Sequence, residues 1–169
     1  MKKTSHQVVG AGGLIGILTA GGSFVDATAF FIGSSFPDID TTWNSWNVYR
    51  KDFLGHRGIT HSLFLNTIAV VGSFILVLFY PFLSFVFFFF LGAFLHVLLD
   101  MFSPSGVPLY LSYYPRVKFP IYKTGSMRDE LIAYLTGGLL VGTGYYYKVH
   151  SVEFTELQLI IKKLITLLA

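Results

Sequence analysis

VVGAGGLIGILTAGGSFVDATAFFIGSSF, residues 8–36, is the stretch on which the fold turns. Its halves, Val8–Ala20 and Phe24–Phe36, are apolar and glycine-rich, and Gly21-Gly22-Ser23 between them is a turn signal. Each half falls short of the ~20 residues that carry a helix across a bilayer. The stretch is therefore one long broken helix or a tight hairpin of two short ones. The choice matters, because a hairpin returns Asp38 to the side of His6 and a single span separates them; the hairpin is preferred.

Composition points to a membrane. Mean hydropathy is +0.63 and only 12% of residues are charged, against ~25% in soluble domains. A chain of 169 residues fits a single domain, 1–169. The lack of cysteine excludes disulfides and thiolate-bound metals. A net charge of +3, scattered along the chain, gives no reason to expect nucleic acid. Lys2-Lys3 before an apolar stretch has the outline of a signal peptide. No small-x-small cleavage site leads into a soluble domain, so the N-terminus reads as mature sequence.

Downstream, Pro37-Asp38-Ile39-Asp40 stops the second short helix, and an extended segment there would point both carboxylates the same way. Thr41–Gly55 reads as an interfacial loop, with Trp43 and Trp46 suited to the headgroup belt. Thr60 is placed to cap a helix over His61–Tyr80. Pro81 marks a turn, and Phe82–Met101 is a second full-length span. Ser103–Arg128 is a proline-rich connection folded over the membrane face, and Glu130–Lys148 is the next span. Val152–Ala169 reads as an amphipathic surface helix. The expected fold is an all-α polytopic membrane bundle of about five membrane helices, the first two short. With the hairpin, Lys2, Lys3, Arg50, Lys51, Arg57, Arg116, Lys118, Lys123 and Arg128 share one face, and Lys148, Lys162 and Lys163 lie elsewhere. That bias makes the basic face cytoplasmic.

The chemistry collects at the same face. His96 and Asp100 are four apart on one helix, hence on one side of it. By itself the pair could be a buried staple between helices. Asp38 with Asp40 could be a helix stop, His56 with His61 two headgroup-level histidines, His6 a solvated residue, and Glu130 a partner for a helix dipole. Together they read differently. Four of five histidines and four of nine acidic residues fall at loop–helix boundaries of one face. Imidazoles and carboxylates without thiolates suit zinc, manganese or iron, and eight donors exceed one tetrahedral site. Two metals could hold a phosphoryl group and activate water. Arg57 would clamp phosphate through its guanidinium fork. Thr60 would cap the helix or hydrogen-bond a ligand, and Asp38 or Asp40 would orient or deprotonate the water. Asp26 and His150 have no place in this scheme and are read as structural.

Several motifs resemble one bacterial family: Pro37-Asp38-Ile39-Asp40, Gly55-His56-Arg57-Gly58-Ile59-Thr60-His61-Ser62, His96-x-x-x-Asp100, Ser103-Pro104-x-Gly106-Val107-Pro108, and a later Glu130. The family is that of membrane-bound metal-dependent hydrolases, also described as LexA-binding, inner membrane-associated hydrolases. The resemblance covers residues 6–130, with a less distinctive tail over 131–169. The family is in turn similar to zinc-dependent phospholipase C and the S1/P1 nucleases, all-helical enzymes with three zinc ions. There a His-x-x-x-Asp pair ligates zinc, which His96 and Asp100 match. The resemblance also implies Asp40, His56, His61 and Glu130 as ligands, with Asp38 and His6 beside them. Those enzymes use an N-terminal amine as well, whereas this chain begins five residues before its first histidine.

The expectation is a multi-pass inner-membrane phosphoesterase holding two or three divalent ions, zinc first, at the cytoplasmic face. Its substrate would be a lipid or lipid-linked phosphate. Two rival readings are a non-catalytic regulator binding a cytosolic protein such as LexA, and a metal transporter. A transporter predicts ionisable residues along a midplane path, where only Asp26 is a candidate. A bis-histidine haem protein would need histidines facing across helices. An intramembrane zinc protease would need His-Glu-x-x-His, which is not in the sequence.

Overall fold

Residues 8–36 form a helical hairpin in the computed structural model, which describes residues 1–40, 57–111 and 115–151. His56, the loop 41–55 and the tail 152–169 lie outside the described residues. Helix α1 spans Lys3–Thr19 and α2 spans Phe24–Ser35, with the reversal at Ala20–Ser23. Gly21 takes a positive φ of 89°, which an L side chain resists, and Ser23 caps α2 by accepting from Asp26 N–H. α1 begins five residues before the predicted Val8, so His6 is helical.

Three more helices follow among the described residues: α3, Leu63–Phe79; α4, Ser84–Met101; and α5, Met127–Val149. Single 3-10 turns cover Phe36–Ile39, Ile59–His61 and Pro81–Leu83. Three boundaries differ from expectation. Pro37 sits in the first turn of a 3-10 helix, where its fixed φ and missing N–H are tolerated, so Asp38 and Asp40 are not on an extended strand. α3 is capped by Ser62, whose hydroxyl accepts from Leu65 N–H, and not by Thr60. α5 starts before Glu130, because Ser126 caps it. The long connection also carries a two-residue antiparallel ladder, β1 (Val107–Pro108) against β2 (Arg116–Val117), a small departure from an all-α fold.

The helices lie in the order α5–α1–α2–α4–α3. α5 runs parallel to α1, with Gly12 against Gly137 and Gly16 against Leu140 and Gly144. α4 runs parallel to α2: Ser84 donates to Asp26 at one end, and His96 meets the Ser34 carbonyl at the other. Glycine permits these approaches. A Cβ on Gly33 would lie 2.0 Å from Phe89 O, and one on Gly92 would lie 2.3 Å from Phe30 O. Both clashes are with backbone, so α2 and α4 touch there with nothing between them.

The burial pattern is inverted relative to a soluble protein. The fully buried side chains include His6, His61, His96, Asp40, Asp100 and Asp129. Large apolar residues face outward: Phe64, Ile68, Phe74 and Leu78 on α3, and Leu131, Leu135 and Leu139 on α5. Such a continuous apolar exterior is too large for a surface in water. By length and composition, one stretch among the described residues, Pro81–Met101, can cross a membrane, and Leu63–Phe79 is a shorter apolar helix. The about five membrane helices expected are thus not met by helix length and composition. α2, with 12 residues, is only ~18 Å long. α5 has the length but carries Arg128, Asp129, Glu130 and Lys148 at its ends.

Candidate metal centre

The hairpin and the parallel pairings bring the start of α1, the end of α2, the start of α3, the end of α4 and the start of α5 to one end of the bundle. His96 projects from α4. Its Nδ1 is 2.7 Å from the Ser34 carbonyl of α2, which can only accept, so Nδ1 carries the proton. Nε2 is then a bare lone pair, buried, with no hydrogen-bond partner among the described residues. It lies 3.6 Å from Asp38 Oδ1.

His61 is oriented in the same way by a carboxylate. Its Nδ1 is 3.0 Å from Asp40 Oδ2, which also accepts from Arg57 N–H (2.9 Å) and Thr60 Oγ1 (2.8 Å). His61 Nε2 consequently faces Asp38 Oδ1 at 3.8 Å and Asp100 Oδ2 at 3.7 Å. Asn66 fastens this corner by donating to the Thr60 and Ser62 carbonyls. His6 comes from the first turns of α1. Its ring stacks on His96 with centroids 3.5 Å apart and planes 9° apart, and its Nε2 is 3.2 Å from Asp100 Oδ1.

Asp100 is the hub. Oδ1 also receives the α-amino group of Met1, and Oδ2 pairs with the Arg57 guanidinium at 2.9 Å. Arg57 donates further to Ser103 Oγ (2.8 Å) and Gly106 O (3.2 Å). Its φ of 62° is a left-handed conformation that few non-glycine residues adopt, and its N–H reaches Asp40 from there. Gly106, also at positive φ, leaves no room for a Cβ against Val117 O.

Two sets of side chains have donor atoms close enough to share an ion: His6, Asp38 and His96, and His61, His96 and Asp100, each within 4.8 Å. The donor set fits a zinc-class divalent ion: imidazole nitrogens and carboxylate oxygens, with His96 Nε2 and His6 Nδ1 buried and without a hydrogen-bond partner among the described residues. Both sets use His96. Since Ser34 holds its Nδ1, only Nε2 is available, and one lone pair serves one ion.

Of the residues singled out from the sequence, the structure gathers His6, Asp38, Asp40, His61, His96 and Asp100, with Thr60 and Arg57 around them. His56 lies outside the described residues. Three placements differ from expectation. Asp40 backs His61 and is in neither ligand set. Arg57 spends its fork on Asp100, Ser103 and Gly106, which leaves it a brace and not an open phosphate clamp. Glu130 is exposed, 4.0 Å from Lys2 Nζ and away from the cluster. One residue along a helix is a turn of about 100°, and the buried acid is Asp129. Its Oδ2 accepts from Lys2 N–H (3.0 Å) and Gly125 N–H (2.7 Å), tying the N-terminus down beside the cluster. Ser126-x-x-Asp129 is a capping-box pattern and could have identified it. The Ser34 carbonyl had no signal in the sequence. Asp26 sits at the opposite end, bonded by Ser23 and Ser84, in keeping with a structural role.

Outside the spans, Tyr122 is buried and donates to the Leu99 carbonyl at 2.5 Å. Burial, and then Asp100 and Asp129 nearby, push its phenol well above the usual range, so it stays a neutral donor.

No curated protein and no solved structure matches the chain. Residues 1–167 match the family described as YdjM inner membrane protein, and the chain, with its inverted burial and its polar cluster at one end of the bundle, belongs to that family.

Proposed function

We propose that the protein is a multi-pass inner-membrane hydrolase that holds divalent metal, zinc first, and cleaves a phosphoric ester of a lipid or lipid-linked phosphate at the cytoplasmic face. The observation that carries this reading is His96: its proton is fixed on the Ser34 carbonyl, and its buried Nε2 is aimed at Asp38 beside His61 and Asp100. A merely structural histidine would be satisfied at both nitrogens. A bound ion would polarise the phosphoryl group and activate water. His61, His96 and Asp100 would hold it, with His6 stacked on His96, and Asp40 and Ser34 would fix the imidazole faces. Asp38, its side chain 15% exposed, is more open to solvent than the histidines and Asp100 and would accept the proton of the attacking water. The single available His96 nitrogen can serve one ion, so each further ion of the expected two or three would have to be held by other donors of the cluster.

Membrane crossing by more than α4 is supported by the apolar exterior of α3 and α5, and by a hairpin whose two short helices shelter between their neighbours. The cytoplasmic orientation is supported by exposed Lys2, Lys3, Lys118, Lys123 and Arg128 at the cluster end, against Lys148 at the other. A transporter is disfavoured because Asp26 is engaged by two serines and not strung along a path. The test is hydrolysis of phospholipid and lipid-linked phosphate substrates by metal-loaded protein in nanodiscs. D38N should lower turnover about 10²–10⁴-fold with bound metal retained. Equal turnover in D38N would remove Asp38 from the chemistry, and no turnover on any phosphoester would overturn the reading.

A further inference from the structure

The segment Arg116–Arg128 crosses the cluster end of the bundle and closes the C-terminus of α4. Phe119 N–H donates to Met101 O and Ile121 N–H to Phe102 O, each at 2.9 Å, satisfying carbonyls that a helix end leaves without donors. Tyr122 turns inward to Leu99 O. The neighbouring side chains turn outward: Phe119 and Ile121 are each 56% exposed and Met127 is 87% exposed. Exposed Lys118, Lys123 and Arg128 alternate with them. Large apolar groups pinned to a rigid helix end and interleaved with cations are costly in water and suited to an interface.

The surroundings select the partner. The apolar outer face of α3 continues to this end, where Phe64 packs edge-on against exposed Tyr110 with ring centroids 5.8 Å apart. Lys2 and Lys3 add two exposed charges, and the exposed acid among the described residues of this end is Glu130, which Lys2 faces at 4.0 Å. Cations beside a lipid-facing belt complement phosphate headgroups.

We propose that Arg116–Arg128 is a surface anchor seated in the headgroup layer of an anionic phospholipid leaflet. Phe119, Ile121 and Met127 reach the acyl boundary, and Lys118, Lys123 and Arg128 sit on lipid phosphates, which concentrates anionic lipid around the cluster end of the bundle. The inference rests on the membrane embedding of the chain and is independent of metal or hydrolysis.

The chain has no cysteine, so I121C and M127C each give a single nitroxide label, and F74C on the outer face of α3 gives an embedding control. The variants are reconstituted in phosphatidylcholine vesicles with and without phosphatidylglycerol, and each label's access to oxygen and to a water-soluble nickel chelate is measured. The expected result is a deep label at 74 in both vesicles. Labels at 121 and 127 should lie at the headgroup boundary, drawn deeper by phosphatidylglycerol. K118Q/K123Q/R128Q should return them toward water and cut the enrichment of phosphatidylglycerol around the protein, by up to roughly fivefold per charge. Labels at 121 and 127 that stay in water in both vesicles, as a protein-docking surface would leave them, overturn the anchor. A water-exposed label at 74 overturns the embedding itself, and the two failures are thereby distinguished.

Discussion

Asp40 contributes most to the cluster through the histidine it orients. One of its oxygens takes three donors, from Arg57, Thr60 and His61, and the last fixes which His61 nitrogen is left as a ligand. D40N keeps the shape and loses the charge that holds these donors. Metal affinity of D40N, measured by chelator competition, should fall about 10–100-fold, with the fold intact by circular dichroism. Unchanged affinity would mean that Asp40 only braces the loop. His96 and Asp100 were legible in the sequence because a spacing of four fixes a common helical face. Arg57 was legible as a residue of the site but not in its role. Whether a guanidinium meets a ligand or its own chain depends on a left-handed backbone and on Ser103, 46 positions away. Glu130, expected among the ligands, is not brought to the cluster, because the cap at Ser126 sets a helix phase that buries Asp129 and leaves Glu130 exposed.

The helices explain why the cluster stays assembled. The His96–Ser34 bond requires α2 and α4 to lie in backbone contact, and Gly33 and Gly92 permit that contact. G92V would place a branched side chain against Phe30 O and Ser34 N. It should cost about 3 kcal/mol in thermal or denaturant unfolding, and it should weaken metal binding even though residue 92 is no ligand. A G92V protein with normal stability and metal content would contradict the packing. The hairpin of α1 and α2 was legible from Gly21-Gly22-Ser23, since the turn needs a positive φ and α2 needs a cap. The start of α3 was not, because Thr60 and Ser62 are both competent caps and tertiary demand decides between them. Asp40 takes the Thr60 hydroxyl, and Ser62 is left for the helix.

As a whole the molecule is a row of helices with its polar residues gathered at one end and its apolar residues outside. That organisation was legible in composition and in the clustering of histidines at loop–helix boundaries. The number of crossings was not. Short helices such as α2 cross or shelter according to their neighbours, and among the described residues hydropathy and length alone identify only Pro81–Met101. Single cysteines at Thr124 and Ser151 stand at opposite ends of α5. In oriented membrane vesicles, T124C and S151C should react with an impermeant maleimide from opposite sides, T124C from the cytoplasmic one. Labelling of both from one side would show that α5 does not cross.

The central claim is that the buried histidines and carboxylates hold metal, and elemental analysis of the detergent-purified protein tests it most directly. The wild type should carry at least one zinc-class ion per chain, lost in both H96A and D100A and retained in E130A. Wild-type protein that is folded yet metal-free, and that takes up no zinc or manganese on reconstitution, would contradict the account.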